Sequence, residues 1–205
     1  MSRIIVFGAG GRAGRAAVAE AVRRGHEVTA VVRDPARHPA AAGARVVAGD
    51  VTDPAAVAAL VVGQDAAVHA AADLAVDPAE FFPAAARALA GSGVPRLVVV
   101  GLASVLATAD GVPLMDTPDY PREWRSFYLG HAAGVDALRG AGGGVDWLVL
   151  SPAGDFDHEA DRTGGYRIAP ADAASRISYP DLAVAVLDEI DRPSRHGVHV
   201  GVERA

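Results

Sequence analysis

The sequence predicts an α/β fold: a doubly wound parallel sheet of about seven strands with helices on both faces. Short β-rich apolar runs alternate with alanine-rich stretches of helical spacing along the whole chain. The apolar run Ile4–Phe7 enters Gly8-Ala9-Gly10-Gly11-Arg12-Ala13-Gly14 and leaves it as a helix-compatible stretch, the order strand, tight turn, helix. Hydrophobic residues make up 51% of the 205 residues but aromatics only 5%, so the core is built from Val, Leu, Ile and Ala. Such side chains suit helices packed closely on a parallel sheet.

Each element follows in turn. The first strand is expected at 3–7, the first helix at 12–24 and the second strand at 27–32. A third strand at 45–48 precedes a helix at 54–61, where Thr52-Asp53-Pro54 places a capping side chain before a first-turn proline. A strand at 66–70 and a helix at 79–91 come next, the helix ended by Gly91-Ser92-Gly93. A strand at 96–101 leads to a helix at 122–140, ended by the run Gly140 to Gly144. A strand at 145–150, a helix at 180–191 and a strand at 197–201 complete the pattern. This alternation requires parallel strands joined by right-handed crossovers. No repeat, charge block or low-complexity linker interrupts it, so residues 1–205 are expected to form one domain. Two stretches, 102–121 and 151–178, break the alternation and are rich in Pro, Gly, Asp and Thr. Both follow strands, where loops line the ligand crevice of an open parallel sheet, and both are candidate substrate-site loops.

Composition excludes several classes of function. The chain has no cysteine, so disulfides and thiolate metal sites are ruled out and redox chemistry requires a bound cofactor. A net charge of −6 opposes general nucleic-acid binding, which needs a basic face. The chain enters a strand with no signal-peptide pattern and has no run of roughly 18 apolar residues, so a cytoplasmic protein is expected. All 19 basic residues are arginine, which removes any mechanism requiring a catalytic lysine.

The turn at Gly8–Gly14 reads as the opening of a Rossmann-like nucleotide-binding unit. Its glycines let backbone approach a pyrophosphate, and the N–H groups at the helix start face the negative charge. The spacing fits both Gly8-x-x-Gly11-x-x-Gly14 and Gly8-x-Gly10-x-x-Ala13, with Ala9 and Arg12 between. After the second strand, where a selector for the adenosine ribose belongs, stands Val32-Arg33-Asp34. Arg33 there favours NADP(H) over NAD(H), with Arg12 as a second positive group; the alternative gives the ribose to Asp34. Asp50 and Val51 follow the third strand at the expected adenine edge, although Asp50 equally suits a turn or a cap. Ala70, Ala71 and Ala72 end the fourth strand with side chains small enough for a cofactor to pass. His69 reads as a packed strand-end residue.

These motifs, with Arg96–Gly101, Asp116–Pro121, Asp146-Trp147, Arg162-Thr163-Gly164, Ser175–Ser178 and Asp181-Leu182-Ala183, resemble the atypical short-chain dehydrogenase/reductases. Within them the chain is similar to the NmrA-like and biliverdin-IXβ-reductase-like NAD(P)H-binding group, often labelled NADH-flavin reductases. The resemblance covers nearly the whole chain and implies a Rossmann-like fold with an NAD(P)H-linked reductase activity. Two departures stand out: Gly11 occupies a position usually held by Thr, and Leu148 replaces the Thr of an Asp-Trp-Thr run.

Candidates for chemistry are fewer. Typical members of the superfamily use Tyr-x-x-x-Lys, whereas four residues after Tyr128 stands Ala132. His131, three residues after Tyr128, is a substitute partner or an independent proton donor; alternatively both residues form the wet side of an amphipathic helix. Ser104 stands where a substrate-polarising serine is found in the wider superfamily, or else satisfies a loop backbone. Gly101 and Ser151-Pro152-Ala153 are expected beside the nicotinamide. Asp155–Asp161 reads as a solvated acidic loop rather than a metal site, and His196 and His199 as rings on opposite strand faces. The reading that results is an NAD(P)H-dependent reductase passing hydride to a quinone, flavin or related conjugated carbonyl, as monomer or homodimer. Its competitors are a non-enzymatic NADP(H) redox sensor acting through a protein partner and a biosynthetic tailoring ketoreductase.

Overall fold

The computed structural model describes residues 1–38 and 43–205. Its main sheet has eight strands: β1 (Arg3–Phe7), β2 (Glu27–Val32), β3 (Ala44–Ala48), β4 (Ala66–His69), β5 (Arg96–Val100), β6 (Asp146–Pro152), β8 (Tyr166–Ala169) and β10 (Val198–Arg204). The order is β3-β2-β1-β4-β5-β6-β10-β8, parallel except for β8 on β10. The chain reverses its direction of winding between β1 and β4, and at that switch point an open α/β sheet leaves a crevice. The short strands β7 (Asp155–Asp157) and β9 (Arg176–Ser178) pair beside the main sheet.

Helices cover both faces. The helices α1 (Arg12–Arg23) and α5 (Tyr179–Asp191) pack together on one face, where Ala17, Val18, Leu182 and Val186 meet Ile4, Val6 and Val98. On the other face lie α2 (Pro54–Leu60), α3 (Pro78–Ala90) and α4 (Arg125–Arg139), with Phe82, Leu89 and Leu138 against Ile5, Leu97 and Val149. Successive residues of β1, β4, β5 and β6 alternate between these two cores, so each central strand is apolar on both sides. Helix starts follow the capping chemistry of the sequence: Asp53 and Asp77 accept bonds from the first-turn N–H groups of α2 and α3, each followed by proline. No helix among the described residues is long and apolar enough to cross a membrane.

All seven expected strands are present, and the sheet is larger than expected because 151–178 adds β8 to its edge and contributes β7 and β9. These three strands have only three or four residues each, too few for an alternating pattern to register. The stretch is also latched to the helices. Asp181 of α5 accepts bonds from the N–H groups of Thr163 and Gly164 (2.9 and 2.7 Å) and from the Thr163 hydroxyl (2.8 Å). Arg162 reaches Glu20 of α1 at 3.0 Å, joining Arg23 and Arg24 around a carboxylate only 3% exposed. Burial alone would raise the Glu20 pKa, but hydrogen bonds from the three arginines outweigh it and hold it at about 2. Much of this loop is therefore fastened structure.

Candidate functional site

A cleft of about 260 Å³ opens at the switch point between β1 and β4. Its floor is the glycine turn, one wall is the end of β2 and β3, and the other is Ala70–Asp73 with Phe81 of α3. Gly8 has φ +80°, a conformation that costs glycine little, and a Cβ there would stand 2.5 Å from the Ala71 backbone. A Cβ on Gly14 would collide with the Gly8 carbonyl, so α1 can seat against β1 only with glycine at this position. Gly10 and Gly11 line the cleft under weaker constraint. A Cβ on Gly10 would press on the His38 ring, and one on Gly11 would meet nothing nearer than 3.5 Å. The turn thus depends sterically on Gly8 and Gly14, and Gly11 has room for the side chain usual in the resembled family.

The remaining members of the turn are fixed differently. Ala9 is buried and donates its N–H to Val31 O at 3.2 Å, tying the turn to β2. Ala13 stands in the first turn of α1. Arg12 opens α1 but its guanidinium contacts the His158 ring, beyond β7, and does not line the cleft.

Arg33 and Asp34, adjacent in sequence, part company here. Asp34 accepts the Ala36 N–H at 3.0 Å and caps the short turn Pro35–Arg37, while Arg33 lines the cleft. Asp50 and Val51 line it too, and Asp50 also accepts from the N–H (2.8 Å) and hydroxyl (2.7 Å) of Thr52. The turn reading of Asp50 holds, and the same turn presents the residue to the cleft.

Past the glycine turn, the ends of β4, β5 and β6 and the start of β10 bring His69, Gly101, Ser151 and His199 to the face covered by α3 and α4. A small pocket there is bounded by His69, Gly101 and His131 together with Phe82 and Val149. Ser151, fully buried, shares a 2.7 Å hydrogen bond with His199 Nε2. A Cβ on Gly101 would stand 2.5 Å from the Ser151 hydroxyl, so glycine makes room for this pair. Ala153 donates to Val202 O at 2.7 Å and accepts from Asp172 N at 2.9 Å, which anchors the strand end that Pro152 closes. His196 turns outward to Asp146 (2.8 Å), so the two late histidines do face apart.

Ser104, Tyr128 and His131 are not bonded to one another. Ser104 is fully buried with its hydroxyl unpartnered. Tyr128 packs on Tyr120, with ring centroids 5.4 Å apart, whereas His131 turns between Phe82 and Phe127, at 3.8 and 4.9 Å. The alternative of a wet helix face is overturned, since Tyr128 is 8% exposed and the exposed residue of this turn is Leu129. The reason is close helix packing. A Cβ on Gly130 would lie 2.6 Å from Pro78 O, so glycine lets α4 approach α3 and encloses the side chains between them.

Burial sets the electrostatics of this end. It lowers the His69 pKa to about 4, that of His199 to about 4 with help from Arg139, and that of His131 to about 3 with help from the other two rings. All three are neutral near pH 7. Burial also raises Tyr120 to about 12 and, with Glu123 and Asp155, raises Tyr128, so both phenols keep their protons. Among the described residues no group of three or more His, Asp or Glu side chains is arranged to hold a metal ion.

A family model described as NAD(P)H-binding matches residues 8–193, from the glycine turn to just past α5. The chain belongs to this NAD(P)H-binding family. A relative, the uncharacterized protein YwnB of Bacillus subtilis, is 35% identical over 203 residues, covering 93% of each chain. Among solved structures, one from Streptococcus pneumoniae named a "putative NADH-flavin reductase" is 29% identical, with full coverage of both chains and a TM-score of 0.86. Another from Bacteroides thetaiotaomicron, named a "putative epimerase", is 29% identical over 99% of this chain and 97% of its own, with a TM-score of 0.87.

In this NAD(P)H-binding protein, the cleft residues that the sequence reading did not single out as site residues include His38, Asp73 and Phe81. Asp73 immediately follows Ala70–Ala72 and is the nearest to having been legible. His199, the partner of Ser151, lies 48 residues away, and no local signal joins them.

Proposed function

We propose that the protein is an NAD(P)H-dependent reductase, preferring NADP(H), that delivers hydride to a flat conjugated acceptor such as a quinone, flavin or related carbonyl. The observation that carries the cofactor preference is that after β2 Arg33 lines the cleft and Asp34, which caps Pro35–Arg37, does not. A planar guanidinium with forked donors suits a 2′-phosphate, and the family match and the Streptococcus relative's name support a reductase. When bound, the nicotinamide supplies the hydride. The residues of this chain then have positioning roles. Gly8, Gly10 and Gly11 would admit the pyrophosphate to the helix N-terminus, Asp50 and Val51 would hold the adenine end, and Gly101 with Ser151–Ala153 would back the nicotinamide.

Without lysine, only the neighbouring Tyr120 lowers the proton affinity of Tyr128, and burial with the charges of Glu123 and Asp155 outweighs it. Tyr128 and Tyr120 serve as protonated donors at most, and an electrophilic acceptor needs little more. NADPH consumption across a panel of quinones, flavins and ketones is the test. Turnover of quinones or flavins well above background is expected; tight NADPH binding without turnover of any acceptor would leave the redox-sensor reading in its place.

A further inference from the structure

Arg33 does not stand alone in the cleft. Its Nη1 is paired with the Asp73 carboxylate, which projects from the loop after β4 on the opposite wall. The two members of the pair differ in freedom: the Asp73 side chain is 13% exposed and that of Arg33 66%. Asp73 Oδ1 accepts the Ala75 N–H at 3.0 Å, so its own turn fixes the carboxylate and aims Oδ2 across the cleft. That backbone bond, aided by the charge of Arg33, holds the acid below its ordinary pKa, and it is negative at any pH near neutral.

We propose that Asp73 is a specificity-determining residue for the cofactor, competing with the ribose 2′-phosphate for Arg33 and accepting a hydrogen bond from the free ribose hydroxyl. This rests on the reading of Arg33 as the phosphate contact. A bound 2′-phosphate, doubly charged or nearly so, must draw Arg33 away from a carboxylate that its turn keeps close by. Like charges left near one another lower affinity, a repulsive device against one of two otherwise similar ligands. A ribose hydroxyl meets the opposite situation, because a fixed carboxylate accepts a hydrogen bond from it while Arg33 stays neutralised. The pair therefore admits both cofactors and narrows the preference that Arg33 alone would impose.

The test is calorimetric titration of NADPH and NADH into the wild-type protein, Asp73→Asn, Arg33→Ala and the double variant. Asparagine keeps the oxygen that accepts from Ala75 and replaces the charged oxygen facing Arg33 with a neutral amide donor. Asp73→Asn is expected to tighten NADPH by about two- to fivefold, the scale of an exposed charge pair, and to weaken NADH. In the Arg33→Ala background the same substitution should yield a smaller gain for NADPH, the two sites being coupled. An NADPH-to-NADH affinity ratio unaltered by Asp73→Asn, while Arg33→Ala still weakens NADPH selectively, overturns the role of Asp73 and leaves the proposed function standing. Equal losses of both cofactors in Arg33→Ala overturn the phosphate reading and this inference with it.

Discussion

The Ser151 hydroxyl and His199 Nε2 share a 2.7 Å hydrogen bond, joining the end of β6 to the start of β10. The bond gives a fully buried hydroxyl a partner where none is available from the apolar side chains around it. It also anchors His199 near His69 and His131, three imidazoles to which no carboxylate among the described residues is bonded.

Stability should fall as the pH drops below neutral. Burial holds His69, His131 and His199 at about 4, 3 and 4, below the ordinary value of 6.5, so the unfolded chain binds these protons more readily. Their contribution is complete above about pH 6.5 and is lost as the pH drops towards 4, on the order of 1 kcal/mol per pH unit for each ring. Chemical denaturation at pH 8, 6 and 5 measures the slope, and His131→Phe should flatten it. A stability unchanged between pH 7 and 5 would show that the rings are not held neutral by burial.

Nucleotide binding should be lost on sterics alone when either tight glycine is replaced. Gly8→Val and Gly14→Val put side chains against the Ala71 backbone and the Gly8 carbonyl. Gly11→Thr, with nothing within 3.4 Å of its Cβ, should retain binding and fold. Titration with NADPH separates the three; retained affinity in both valine variants would displace the cofactor from this turn.

Arg33→Ala should weaken NADPH by about 1.5–3 kcal/mol, the range for a hydrogen bond to a charged group, with NADH nearly unaffected. The same titrations read this directly, and equal losses would mean that Arg33 does not meet the 2′-phosphate.

Loss of any one candidate proton donor should have a limited effect on turnover. Ser104→Ala, Tyr128→Phe and His131→Ala should each lower kcat by no more than about 10²-fold, the low end for a general acid, because positioning supplies most of the rate. Steady-state kinetics with a quinone acceptor reads this. Abolition of turnover by Tyr128→Phe alone, with NADPH affinity intact, would establish a dedicated tyrosine acid instead.

The strands from β1 to β6, and β10 beyond them, were legible because apolar alternation with helices is a local pattern, written in neighbouring residues. The glycine turn was legible for the same reason: Gly8 and Gly14 flank one tight bend between one strand and one helix. The edge strand β8 was not, since four residues, Tyr166–Ala169, become a strand only where β10 offers its free edge. Likewise the resemblance at Arg162-Thr163-Gly164 named a motif without its purpose, which is to fasten a loop to Glu20 and Asp181.

By itself, then, the sequence determined the α/β alternation, the phosphate-type turn and, through the absence of lysine, the loss of the tyrosine–lysine device. Only the tertiary structure decided that Arg33 enters the cleft while Asp34 caps a turn, that Asp73 meets Arg33 from across the crevice, and that His69, His131 and His199 converge. The physical reason is distance along the chain. Strand and helix periodicity act over a few residues, whereas ion pairs and buried clusters join residues 40 to 130 positions apart, which only the packed sheet and helices bring together.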